Sequence, residues 1–304
     1  MRNYVTTYIN PDTDGIACMI ATAAFRARDD EPWVPVRFGN IDFESQFVLE
    51  KLNLSPPIEA PANDGKPLAD ADNIILVDTH HIAQLPKNFP YDKVIQIIDH
   101  HPKGDDDAFP NAKITNEKIG AAASLVAKTY LDAGSTDERT LRLLAFAIAS
   151  NTLNFKGRVT TDFDRGIYAD ITKRYPISER DITDMLHSRL RILDGGLRAA
   201  IESDIKIYDT ANGPVGISQL KMPGIIPAID ADEAIAELGA IATDRGVKYF
   251  ALNAGDTDMG KSLVLTANGA TDDLLSQHFG VKFGNNQHLF DRILARKIDF
   301  VFAK

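Results

Sequence analysis

The first half of the chain alternates short apolar runs with longer amphipathic stretches. Tyr4 to Ile9 predicts a strand, Gly15 to Arg28 an Ala-rich helix with an apolar stripe, and Trp33 to Phe38 a second strand. Residues 55 to 73 are rich in Pro, Asp and Gly and predict a loop. Two later runs, NIILV (Asn73 to Val77) and KVIQII (Lys93 to Ile98), are apolar on both faces, and each is followed by an Asp. Such strands, with helices between them, predict a parallel sheet covered on both sides. Gly120 to Ala133 and Glu138 to Ala149 predict two further helices. Near residues 186 to 200 the pattern reads helix, Gly195-Gly196, helix, which marks a hinge or cap. From Asp204 it restarts with a strand-like DIKIYDT, a turn at NGP and then VGISQL. A helix over Ala231 to Arg245, a strand over Lys248 to Asn253, a turn near GDTDMGK and a strand SLVLTA follow. The expectation is an α/β chain: a parallel-sheet domain over residues 1–188 with helices on both faces, a linker over 189–195, and a smaller mixed α/β domain over 196–304.

Composition narrows the function classes. The chain has 304 residues, 33 Lys plus Arg against 43 Asp plus Glu, and a formal charge of −10. That surface is unsuited to long nucleic acid and to anionic membrane. No apolar run approaches the roughly 18 to 20 residues of a membrane helix. The N-terminal MRNYVTTYINPDTDG does not read as a signal peptide, and a single cysteine, Cys18, excludes a disulfide framework or a multi-Cys zinc site. The expected location is the cytoplasm. Of seven His, four form two adjacent pairs, His80-His81 and His100-His101.

Those pairs belong to a larger constellation. Asp12 and Asp14 follow the first predicted strand, Asp78-Thr79-His80-His81 follows NIILV, and Asp99-His100-His101 follows KVIQII. A fourth feature, Ala149 to Thr152, ends the run LLAFAIAS, and all four are expected just beyond strand C-termini. That edge of an open α/β sheet is where ligands bind. An Asp-X-Asp alone is commonly a turn and cap, and a single His pair is weak. Together they indicate a site for Mn²⁺, Co²⁺, Fe²⁺ or Zn²⁺, or Mg²⁺ if oxygen dominates. Carboxylates shared by two metals serve phosphate hydrolysis.

The motifs NPDTDGIACMIA, LVDTHH, IIDHHP and ASNTLNFKGRVTTDFDR, with SDIKIYD and LARKIDF later, resemble the DHH phosphoesterase superfamily. More closely they resemble its manganese-dependent (family II) inorganic pyrophosphatases and exopolyphosphatases, over nearly the whole chain. The resemblance implies a catalytic domain over 1–188 and a substrate-clamping domain over 196–304, with the site closed between them. It implies two divalent ions, Mn²⁺ before Co²⁺ or Mg²⁺. Asp12 would bind one and Asp14 the other, Asp78 would bridge them, and His100 would bind the second. Asp99 would orient the His100 ring, and His101 would stabilise substrate charge. Lys206, Arg296 and Lys297 would clamp phosphate, although without the resemblance they read as ordinary exposed charges. Pyrophosphate or short polyphosphate is the implied substrate. The alternatives are slower cleavage of another small phosphorylated molecule, or binding of a phosphorylated ligand without turnover. The resemblance also allows a homodimer. The Gly-Gly-Gly-His type motif of the nucleotide-handling branch is absent, which favours a phosphoanhydride over an oligonucleotide.

Two positions depart from that pattern. Tyr8 stands where the pyrophosphatases carry His, and Asn151 where they carry Asp. Asn151 can still offer a carbonyl oxygen to a metal, whereas a phenol with an ordinary pKa of about 10 is a poor ligand. Either His80 or His81 replaces the missing imidazole, or metal affinity has fallen.

Overall fold

The structure, a computed structural model, describes residues 1–29 and 32–300. The chain divides into two compact bodies, one spanning Met1–Leu186 and the other beginning at His187.

The first body runs β1 (Asn3–Thr6), α1 (Thr13–Arg26), β2 (Trp33–Phe38), α2 (Phe43–Leu52), β3 (Ile58–Ala60), β4 (Asn73–Val77), β5 (Val94–Asp99), β6 (Lys113–Asn116), α3 (Ala122–Asp132), α4 (Glu138–Asn151), α5 (Asp162–Arg174) and α6 (Glu179–His187). Its strands form one parallel sheet in the order β3-β2-β1-β4-β5-β6. The chain winds outward from β1 in one direction, then returns to build β4, β5 and β6 on the other side. The crevice between the C-terminal ends of β1 and β4 is therefore the topological switch point, where open α/β sheets bind ligands.

Hydrophobic burial fixes this arrangement. Val5, Ile75 and Val77 point to one face and pack under α1, α3 and α4, with Ile16, Met19, Val126, Tyr130, Leu144 and Phe146 fully or nearly buried. Ile74, Leu76, Val94 and Ile97 point to the other, where Leu68, Phe89 and Phe109 close over them from short 3-10 turns and the adjoining chain.

The second body holds α7 (Leu197–Glu202), β7 (Ile205–Thr210), β8 (Gly213–Met222), α8 (Ile225–Ala228), α9 (Ala231–Asp244), β9 (Tyr249–Asp256), β10 (Lys261–Thr266), α10 (Gly269–Phe279) and β11 (Gln287–Phe290). The sheet order is β11-β10-β9-β8-β7, parallel between β8 and β9 and otherwise antiparallel. α7 to α9 cover one face through Ile201, Ile225 and Leu238. Leu274, Leu275 and Phe300 cover the other.

Three boundaries differ from expectation in ways that matter for the site. β1 ends at Thr6, so Tyr8 lies in the loop and only Ile9 makes a further bridge, to Phe38. α1 starts at Thr13, capped by Asp12. α4 runs on through Asn151, so the fourth feature lies at the end of a helix and not beyond a strand, because the apolar stripe of LLAFAIAS packs at helical spacing under α1 and α3.

Candidate metal centre

Asp12 caps α1: its Oδ1 accepts the N–H groups of Asp14 (2.9 Å) and Gly15 (3.3 Å). Asp14, in the first turn, is buried and has a second structural task. Its oxygens accept the N–H groups of Ala122 and Ala123, both at 2.8 Å. These are orphan donors at the start of α3, whose own N-cap, Ala121, has no side chain to satisfy them. Burial pushes the Asp14 carboxyl up to about 6, against the opposing pull of His100 and with the charge of Asp12 adding to the rise.

Asp78 leaves β4 with a left-handed backbone (φ 57°), held by its N–H to Ile98 O at 2.8 Å. That turn drives the side chain into the crevice. Asp78 Oδ1 is buried and makes no hydrogen bond among the described residues. Burial is the largest cause that raises this carboxyl well above the carboxylate range, and the charge of Asp14 raises it further.

His100 Nδ1 lies 3.0 Å from Ile119 O. A carbonyl only accepts, so Nδ1 carries the proton and Nε2 of the neutral ring presents a lone pair. Nε2 faces Asp78 Oδ1 at 3.3 Å and Asp14 Oδ2 at 3.8 Å. Two carboxylate oxygens and one imidazole lone pair thus converge on a point that only a proton or a cation can satisfy. Burial disfavours the charged ring, but the approach of Asp78 and the charges of Asp14 and Asp78 outweigh it and carry His100 up to about 10. The donor set, with its orphaned buried oxygen, fits a divalent metal of the kind that mixed carboxylate and imidazole ligands select. Asp78, His100 and His101 can offer ligand atoms within 4.8 Å of one another. Tyr8, Asp12, Asp78, His100, His101 and Asn151 line one cleft of about 510 Å³.

The sequence of the first body matches the DHH family, N-terminal domain, over residues 2–148. The first body carries a DHH family domain. A manganese-dependent inorganic pyrophosphatase of Methanothrix thermoacetophila is 26% identical, with 97% of this chain and 94% of the relative covered. A Clostridium acetobutylicum protein assigned to the same activity is 27% identical, with the same coverage. Among solved structures, a Methanococcus jannaschii protein assigned to the family II inorganic pyrophosphatases superposes with a TM-score of 0.66 at 26% identity, covering 98% of this chain and 96% of that one.

Several roles expected of this DHH site are redistributed. Asp99 reaches His100 only through that residue's backbone N–H (2.7 Å). Its carboxylate instead holds two other rings, His101 Nδ1 on Oδ1 at 2.7 Å and His80 Nδ1 on Oδ2. Burial tends to raise the Asp99 carboxyl, but the bonds from His101 and His80 outweigh it and hold it well below the usual range. Asp99 therefore orients His101, leaving Nε2 toward the cleft, while the Ile119 carbonyl orients His100. His80 is a correction. Its Nδ1 is on Asp99 and its Nε2 is 3.3 Å from Asp106 Oδ1, so both nitrogens face carboxylates outside the metal cluster. His81 packs on His80 and has its Nδ1 3.9 Å from Asp105 Oδ2. Neither ring takes the place vacated at Tyr8. The Tyr8 hydroxyl accepts the Asp12 N–H at 3.1 Å, and burial first, then Asp12 and Asp78, keep the phenol neutral.

Asn151 is the second correction. Its Nδ2 donates to Asp14 Oδ2 (3.0 Å) and Gly120 O (2.9 Å). Both partners only accept, which fixes the amide with NH₂ toward the cluster. The side chain enters as a donor to a ligand and not as an oxygen ligand.

The three bases of the second body lie on one part of it. Lys297 Nζ bonds Asp204, just ahead of β7, Lys206 Nζ sits over the Tyr208 ring (5.0 Å), and Arg296 pairs with Asp299 at 2.8 Å. The first body also brings two cations to the cleft that the sequence reading missed, Lys118 and Arg158. Arg158 follows an unusual turn: Leu153, Asn154 and Phe155 are all left-handed, with φ of 51°, 49° and 64°. For L-residues this conformation costs roughly 1–2 kcal/mol each, and it persists only where surroundings over-determine it. Here Asn154 N–H bonds Ala149 O (2.7 Å), Gly157 N–H bonds Thr152 O (2.8 Å), and Arg165 donates to Phe155 O (2.9 Å). The Phe155 ring meets Tyr168 edge-on at 4.8 Å.

Proposed function

We propose that this protein is a metal-dependent phosphohydrolase that cleaves a phosphoanhydride, with pyrophosphate and short polyphosphate as the first substrates. The observation that carries the reading is the convergence of Asp14 Oδ2, buried and unbonded Asp78 Oδ1, and the His100 Nε2 lone pair at the sheet's switch point. Asp12, Asp14, Asp78 and His100 would hold Mn²⁺ or a similar divalent ion, which when bound lowers the pKa of a water toward about 7 and makes it a nucleophile. His101, its ring fixed by Asp99, aims Nε2 into the cleft, where it stabilises negative charge on non-bridging or leaving oxygens. In the second body Lys206, Arg296 and Lys297 would be the phosphate-binding cations, Lys297 now paired with Asp204 and Arg296 with Asp299. Names of relatives over almost the full chain support the same chemistry.

A second reading has its own observation. Asn151 donates where the pattern calls for an anion, and Tyr8 stands in place of an imidazole, which favours a site that binds a phosphorylated ligand without turning it over. One experiment separates the two. Purified protein is assayed for phosphate release from pyrophosphate, tripolyphosphate and nucleotides with Mn²⁺, Co²⁺ or Mg²⁺. Metal-dependent release supports the phosphohydrolase. No release with any pair, alongside tight binding of one of them, overturns it in favour of the binding protein.

A further inference from the structure

Beside the metal cluster the cleft holds two cations and an apolar wall. Lys118 and Arg158 line the same cleft, and among the described residues neither has an acidic partner. Between and around them the cleft wall is apolar: Pro102, Ile119 and Val159, the last 58% exposed. An inorganic diphosphate gains nothing from carbon surface, whereas pockets for organic ligands combine apolar walls with a few placed polar groups. The wall is also built to hold its shape. Arg158 and Val159 follow the over-determined left-handed turn. A Cβ on Gly157 would lie 2.9 Å from Thr152 O, so only glycine lets the chain turn back that tightly. Lys118 is anchored close by, since Ile119 O holds His100 and Gly120 O holds Asn151.

We infer that Lys118, Arg158, Pro102, Ile119 and Val159 form a subsite for an organic group, so that the preferred substrate is a phosphoanhydride bearing one, of the nucleoside diphosphate class. This rests on the phosphohydrolase reading and names its substrate class. Lys118 meets the anionic oxygens beside the organic group. The flat Arg158 guanidinium and the Val159 methyls cover a planar ring, as arginine does by stacking.

The test is calorimetric binding to the full-length, Mn²⁺-loaded protein, with two non-hydrolysable probes: methylenediphosphonate and an α,β-methylene nucleoside diphosphate. The wild type is expected to bind the nucleoside probe at least about tenfold more tightly. The double variant Arg158→Ala with Val159→Ser is expected to erase that preference while leaving methylenediphosphonate within about twofold. Equal affinity of the wild type for both probes, or an equal loss for both in the variant, overturns the subsite. A preference found in a protein that releases no phosphate from any substrate leaves the subsite standing and removes the hydrolase. Pyrophosphate hydrolysis without a preference does the reverse.

Discussion

At the scale of single residues, the site is decided by which side of each polar group faces the cluster. The placement of Asp12, Asp78, Asp99, His100 and His101 was legible in the sequence, because acidic and imidazole residues at the ends of buried parallel strands and in the loops that follow them gather at one sheet edge. Their division of labour was not, because it depends on partners remote in the chain. Asp14 closes the start of α3 more than a hundred residues away, and Asp99 serves His80 and His101 rather than its neighbour's ring. Asn151 gives the sharpest test. Changing it to Asp places a carboxylate against Asp14 Oδ2 and Gly120 O, three acceptors with no donor unless a cation joins them. Asn151→Asp is therefore expected to lower the thermal midpoint of the metal-free protein and to tighten Mn²⁺ binding by at least about tenfold. Calorimetric titration and elemental analysis read both affinity and stoichiometry. Unchanged Mn²⁺ affinity would show that the amide is not filling a ligand position.

At the scale of elements, legibility followed hydrophobic contrast. β2 and β4 matched their predicted limits because their apolar runs are bounded by turns. β6 (KITN) and α5 escaped notice: the strand is short and polar at the sheet edge, and α5 buries only Ile167 and Ile171 as apolar anchors. Missing them hid Lys118 and the context of Arg158. The loops after β4 and β5 are knitted together in a way no local pattern reveals. Asp105 N–H bonds His80 O at 2.9 Å, Asp105 Oδ2 accepts Ile82 N–H at 2.8 Å, and Gly104 lies against the His80 ring. A Cβ on Gly104 would sit 1.5 Å from His80 Cδ2. Gly104 is not in the left-handed region, so Ala there would ordinarily stabilise slightly by restricting the unfolded chain. Here the sign is expected to reverse. Gly104→Ala should destabilise by about 1–3 kcal/mol through overpacking and loosen the Asp99–His101 contact. Denaturant melts check the first effect, and the His101 ring resonances in NMR check the second. A neutral or stabilising Gly104→Ala would mean that His80 is not held as described.

At the scale of the whole molecule, all of the cation-seeking groups of the metal centre belong to the first body, and this makes the two bodies distinguishable in a melt. Asp14 rises from 3.8 to about 6 and His100 from 6.5 to about 10 on folding. Both groups bind more protons folded than unfolded in those windows, so stability falls as pH rises, through Asp14 between about 4 and 6 and through His100 between about 6.5 and 10. Asp99 has the opposite sign, and its contribution is lost only as the pH drops below the ordinary carboxylate range. A bound divalent ion takes the place of those protons. It therefore flattens the slope and adds stability by mass action, about 2.7 kcal/mol at a hundred times Kd. Calorimetry of the metal-free chain is expected to resolve two transitions, as multidomain chains commonly do. Only one should fall with rising pH and recover with Mn²⁺. Hydrogen exchange assigns it: amides of α4 should gain protection with Mn²⁺ while those of β9 do not. If both transitions moved together with Mn²⁺, or the pH slope survived saturating metal, the cation would have to be held by groups other than Asp14, Asp78 and His100.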